Sequence, residues 1–310
     1  MLIATHDAVY ATKGPDVSPV LRLEAEGTLH VAEGRLLDVV ATDDGRLSVV
    51  RKHKTRTLEP ELEKAAVACV LLLKEDPLEV LLGTEPAHVF RLKGDGPAER
   101  CRSFDALHVR DGWYTPWGGP PAVRSLAATP DGWVYADIHV GSIMASPDRG
   151  KTWDPVTPDL HEDVHQVATC PAAPKRVYAN TARAVWISDD RGRSWDSRGK
   201  GLSHRYGRAI AVHPDKPDHC LASVSDGPHG KNVHGQLYRS TDAGRTWHHV
   251  ADGFPDSTPR NIDTFHLAVT ADGTGWACEG RHLYAGPLTG GAWRQVWEAP
   301  DPIAALSVAV

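Results

Sequence analysis

The chain has 310 residues, with 34 Lys and Arg against 40 Asp and Glu and a formal net charge of −6. That mild acidity excludes a protein held to nucleic acid by clustered cations, and no run approaches the ~20 apolar residues of a helical membrane span. The 28 Gly and 23 Pro favour many short strands and turns, and the 10 Trp and 17 His against 4 Phe require a cause.

In chain order, MLIATHDAVYATKGPD has no basic leader ahead of an apolar core and places His6-Asp7 where that core would run. It reads as two short strands at the start of a mature chain, expected in the cytoplasm. The unit 28–60 is shortened and contains the basic run Arg51-Lys52-His53-Lys54-Thr55-Arg56, which reads as a solvated strand or turn. The unit 65–104 supplies three apolar strands and a degenerate turn; Glu59–Ala66 offers at most two helical turns. Residues 102–121, with Trp113, Tyr114 and Trp117, form a long connection able to cap one face. Units at 122–157, 164–200, 207–252 and 262–298 follow, each with four predicted strands, here lettered a to d in chain order. Residues 303–310, IAALSVAV, read as one a strand that completes the blade begun by residues 1–25. Five Cys, odd in number and without a C-x-x-C, imply no disulfide framework. Cys69, Cys170, Cys220 and Cys278 sit in apolar runs and read as small buried hydrophobes.

Three turns are near copies: Ser146-Pro-Asp-Arg-Gly-Lys-Thr-Trp153, Ser188-Asp-Asp-Arg-Gly-Arg-Ser-Trp195 and Ser240-Thr-Asp-Ala-Gly-Arg-Thr-Trp247. Each follows a period-2 strand. In such a hairpin turn an Asp carboxylate accepts backbone N–H groups, Gly supplies the positive φ, and Trp packs over the turn. The pattern resembles the Asp box, or bacterial neuraminidase repeat, of sialidase-like β-propellers. The repeat makes the chain all-β, one propeller over residues 1–310 with four-stranded blades. Seven blades are counted; six is the alternative, because the 28–60 unit is the weakest. The resemblance implies that Asp148, Asp190 and Asp242, with Trp153, Trp195, Trp247 and Trp293, are structural and peripheral, away from the active centre.

In such a ring the a-strand starts and the b–c loops open on one mouth. The register places Arg124, His165, Arg208 and His266 at a-strand starts. It places His6, Glu85, His88, His139, Arg183, His229, His234, Glu279, Arg281 and His282 in b–c loops. His161 and Asp163 precede the His165 strand, and Tyr206 lies beside Arg208. A single histidine at an a-strand start ordinarily hydrogen-bonds a neighbouring blade's backbone, and H-x-x-x-H outside a helix is a weak metal motif. The convergence across blades nevertheless gives His165, His139, His266, His6 and His161 as candidate ligands of Zn, Fe, Cu or Mn. Arg124, Arg208, Arg281 and Trp117 are the candidate substrate-binding groups, and Glu85, Asp163, Tyr206 and Glu279 the candidate catalytic ones.

The expected ligand is a small polar or anionic molecule. A His-based metal centre would support hydrolysis, elimination or oxidation. The alternatives are a non-catalytic binding or scaffold propeller and a metal-free glycosidase-like hydrolase using two mouth carboxylates. Sialidase activity itself is not expected. The resemblance would require an Arg-Ile/Leu-Pro motif and a Glu paired with a Tyr nucleophile, and the sequence shows neither.

Overall fold

The computed structural model describes residues 1–228 and 232–309. Its strands form seven four-stranded antiparallel sheets, so the unit at 28–60 is a full blade and the count of seven holds. Blade 1 is closed by both ends of the chain. Its a strand is Ala305–Ser307, paired with Leu2–Ala4 through Ile3 opposite Leu306. That pairing removes the free edge an open ring would present.

Burial falls from the inner strands of a blade to its outermost strand. In blade 5 the b strand Val177–Thr181 is buried throughout, while the outermost d strand Asp196–Ser197 is exposed. Apolar residues of adjacent sheets interlock as a belt of core clusters, such as Tyr135 and Ile143 of blade 4 with Val164 and Ala179 of blade 5. Cys69, Cys170, Cys220 and Cys278 are buried free thiols within this belt, as expected.

The Asp boxes form the anticipated turns. Asp148 Oδ1 accepts from the amides of Lys151 and Thr152 at 2.9 and 2.8 Å, and Oδ2 accepts from the Thr152 hydroxyl at 2.8 Å. Gly150, Gly192 and Gly244 take positive φ at the same place in each turn, and the residues before them (Arg149, Arg191 and Ala243) do as well. The connection 102–121 carries one helical turn, Arg102–Asp105, and a 3-10 turn, His108–Gly112; Glu59–Ala66 carries none. Phe104 on the first turn is fully buried against blades 3 and 4. No described helix is long and apolar enough to cross a membrane.

Candidate functional site

The mouth is built on irregularities that the repeat leaves at its inner strands. In blade 4 the register between the a strand Val123–Ala128 and its partner slips at Arg124. In blade 5 the a strand Val164–Thr169 slips at His165, and in blade 6 the a strand Tyr206–Val212 slips between Gly207 and Ile210, at Arg208. A β-bulge re-aims the side chain it carries, and bulges gather beside functional sites. Three consecutive blades thus present Arg124, His165 and Arg208 at matching bulges.

These residues meet through the segment before each a strand. Asp163 Oδ1 lies 3.2 Å from His165 Nε2 and 4.0 Å from Arg124 Nη1. Arg124 also donates to the Val164 carbonyl at 3.2 Å. Tyr206 approaches His165 Nε2 at 3.2 Å through its hydroxyl. Arg208 stands over the Tyr206 ring at 5.3 Å and 3.5 Å from Asp263. His165 is fully buried, and its Nδ1 faces the Gly207 carbonyl, the expected hydrogen bond to a neighbouring blade's backbone. A carbonyl only accepts, so Nδ1 carries the hydrogen and Nε2 accepts from Tyr206. The contact between Asp163 and Nε2 is therefore a close approach without hydrogen-bond geometry. Asp163 Oδ1 and Arg208 Nε are both buried without a hydrogen-bond partner.

The charges follow from burial and neighbours. Burial lowers the proton affinity of His165; Asp163 opposes this, and the Arg124 and Arg208 cations add to it, so the ring is neutral near pH 7. Burial, with Arg124, takes His139 down to about 3. Burial pushes the Asp163 carboxyl up and the Arg124 guanidinium pulls against it; on balance the carboxyl lies below the usual range. Asp263 is likewise pushed up by burial and drawn lower on balance by Arg208 and His266.

A segment crossing between blades is a feature the residue pattern did not announce. Thr264 donates to the His165 carbonyl at 2.9 Å, and the Phe265 amide donates to Gln166 Oε1 at 3.2 Å. Leu306 donates back to the Phe265 carbonyl at 2.8 Å. Phe265 has a φ of 64° and packs against the cores of blades 3 and 4 as well as those of blades 1 and 2. A segment of blade 7 therefore reaches across the axis to blades 1 to 5. Positive φ at a bulky residue is costly and rare, but no motif in the sequence flags it.

The other expected site residues divide. His139 is buried, and its ring centroid lies 4.5 Å from that of Trp117, which is 62% exposed at the rim. His266 accepts from the Asp263 amide and His161 from the Asp163 amide, both at 3.2 Å, so each braces its own turn. His6 and Glu85 are exposed in their loops. Glu279 stands 3.9 Å from His282, and Arg281 binds the Ala299 carbonyl and Glu298 of its own blade. His88 is drawn to Asp105 of the connection at 2.6 Å, and His234 and His204 share Asp226. His229 lies outside the described residues. Among the described residues, no three His, Cys, Asp or Glu side chains converge as a metal-ligand set. The donors expected to hold Zn, Fe, Cu or Mn instead have their ring nitrogens on backbone or stand apart, so they do not fit that centre as arranged.

The family model described as "Sortilin, neurotensin receptor 3" matches residues 141–258, the stretch holding all three boxes. Among curated proteins, a probable oligoxyloglucan-reducing end-specific xyloglucanase of Neosartorya fischeri is 25% identical over 186 residues, covering 53% of this chain and 21% of its own. Among solved structures, an ancestral GH74 enzyme superposes with a TM-score of 0.68 at 15% identity, over 94% of this chain and 40% of that one. YCF48 bound to D1 peptide superposes with a TM-score of 0.57 at 16% identity, over 88% and 84%. The chain is a sialidase-like β-propeller. It spans about a fifth of the curated relative and two fifths of the GH74 enzyme, and the likeness defines a superfamily and a fold without assigning one family.

Proposed function

We propose that the mouth binds a small, polyhydroxylated anionic molecule, an acidic saccharide by chemical class. The observation that carries this reading is the run of three bulges presenting Arg124, His165 and Arg208 on successive blades. Neither guanidinium is saturated. Arg124 and Arg208 stand 4.0 and 3.5 Å from their carboxylates, at or beyond the limit of a hydrogen bond. Arg208 Nε and Asp163 Oδ1 are buried polar atoms whose partners a bound molecule would supply. A carboxylate or phosphate suits the guanidinium forks, ligand hydroxyls suit Tyr206 and Asp163, and the exposed Trp117 offers an aromatic face to a sugar ring. The fold's likeness to xyloglucan-acting enzymes supports saccharides as the class.

Hydrolysis is the second reading, favoured by that same likeness and by the two mouth carboxylates. A glycosidase needs one carboxyl kept protonated near neutral pH. Asp163 and Asp263 are both held low, so binding is the reading the charges support. Calorimetric titration of glucuronate- and galacturonate-containing oligosaccharides, beside their neutral counterparts, tests it. Acidic ligands should bind selectively, and Arg208→Ala should weaken them about tenfold or more, the cost of losing a charge-assisted contact. Equal affinity for acidic and neutral sugars, or no effect of Arg124→Ala and Arg208→Ala, would refute the proposal. Release of reducing ends by the native protein that Asp163→Asn abolishes would establish the hydrolase instead.

A further inference from the structure

Four blades fill the seam to the preceding blade with the tryptophan of their c–d turn. Trp153 packs on Leu81 and Val89 of blade 3, Trp195 on Tyr135 of blade 4, Trp247 on Tyr178 and Ile187 of blade 5, and Trp293 on Leu221 and Leu237 of blade 6. The c–d turns of blades 1, 2 and 3 carry no tryptophan. In blade 3 the c strand, Val89–Lys93, turns through Gly94-Asp95-Gly96, and of the residues that follow this turn only Ala98 joins the core shared with blade 2. Between blades 2 and 3 lies an open cavity of about 1200 Å³, with Leu36, Leu37, Val49 and Leu78 on its walls and the Gly94-Asp95 turn beside it. Val49, opposite Val39, holds the register that Ile187, opposite Tyr178, holds beneath Trp247. The cavity is therefore the tryptophan slot of this seam, left empty of its own side chain and much larger than one.

One side of its rim is the basic run of the sequence, and the facing side carries Glu75, Asp76 and Asp95. The c–d hairpin of blade 2 carries Arg51, Lys52, His53, Lys54 and Arg56, all exposed and all lining the cavity. Arg56 pairs with Asp95 across the opening at 2.6 Å, and the facing Glu75 accepts the Leu36 amide. Among the described residues Arg51, Lys52 and Lys54 form no ion pair, although the chain as a whole is acidic. The d strand Lys54–Leu58 has five residues where blades 3 to 6 have two, and only one of its edges is paired. An unpaired strand edge beside an apolar slot is the template for β-strand addition.

We infer that this seam, on the face opposite the mouth, docks an extended acidic peptide segment of a partner protein, with a large aromatic side chain entering the vacant tryptophan slot. The apolar walls take the aromatic ring, the unpaired cations take flanking Asp and Glu, and the free edge takes the backbone. The inference stands independently of the ligand proposed for the mouth.

Fluorescence anisotropy with a labelled peptide, Asp-Glu-Asp-Trp-Asp-Glu-Asp, tests it on the full chain. Binding should weaken at least about tenfold in the charge-reversed double variant Lys52→Glu, Lys54→Glu, and several-fold when alanine replaces the peptide's tryptophan or Asp replaces the exposed Leu36. The affinity should also fall with added salt. Circular dichroism melts matching the native protein's show that these surface variants fold. No binding at millimolar peptide, equal binding by the charge-reversed variant, or indifference to the tryptophan would overturn the proposal. Tight binding to phosphatidylglycerol vesicles with none to the peptide would overturn it in favour of an anionic surface.

Discussion

Asp137 shows how one side chain can carry a pH dependence without belonging to the binding surface. It is fully buried on the b strand Val134–Ile138, with Oδ1 accepting from the Ser125 hydroxyl and Oδ2 unpartnered. Burial pushes its carboxyl up to about 7, against the pull of Ser125 and Arg124. The folded value is raised, so the associated stability is full below the unfolded carboxyl range and is lost as pH rises through about 7. Asn180 and Ser223 stand at the same register in blades 5 and 6, and both donate to carbonyls of the following blade. An amide therefore fits this position. Asp137→Asn should stabilise the protein at pH 8 by on the order of a few kcal/mol at most, a few degrees in Tm for a chain of this size. The gain should vanish near pH 4, and calorimetric melts at the two values check it; an equal shift at both would show that the carboxyl is not the cause. Every position of this strand is buried, and only the packed seam reveals that nothing answers Oδ2.

At the scale of the element, the Asp-box hairpin is a closed hydrogen-bond unit that serves the blade and not the mouth. Asp190 accepts from the amides of Arg193 and Ser194 at 3.1 and 2.8 Å, and from the hydroxyls of Ser188 and Ser194. The turn sits at the opposite end of its blade from Arg124, His165 and Arg208, because c–d turns and a-strand starts lie at opposite ends of each antiparallel sheet. Asp190→Ala should cost about 1–3 kcal/mol, the range for stranding several donors of one turn. Ligand affinity at the mouth should stay unchanged. A lowered Tm with native titration isotherms supports this; native Tm with lost binding contradicts it. The boxes were readable because each is local, eight residues closed on themselves. The bulges at Arg124, His165 and Arg208 were not, since a bulge is a mismatch between two strands and neither strand carries it alone.

The whole molecule depends on a joint between residues far apart in the chain. Ala305–Ser307 pairs with Leu2–Ala4, and Ile303 and Leu306 pack with Ile3 and Trp276. Ending the chain at Pro302 should expose the edge of Leu2–Ala4 and empty part of that core. The expected result is loss of the single cooperative urea transition and concentration-dependent aggregation, seen by size-exclusion chromatography. A truncated monomer with native cooperativity would show that the ring does not need this closure.

Periodicity and the repeated turns determined the all-β class, the four-stranded unit, the closure by both ends and the end of the ring at which Arg124, His165 and Arg208 gather, because those features are encoded within tens of residues. Tertiary structure alone decided the rest. It turned His266 and His161 onto their own turns, sent Arg281 to its own blade and left His6 and Glu85 in solvent. It also drew Phe265 of blade 7 across the axis against blades 1 to 4. The physical reason is the same in each case. A repeat register states which end of the ring a residue occupies, whereas the direction and partners of its side chain depend on the neighbouring blades, which the register does not contain.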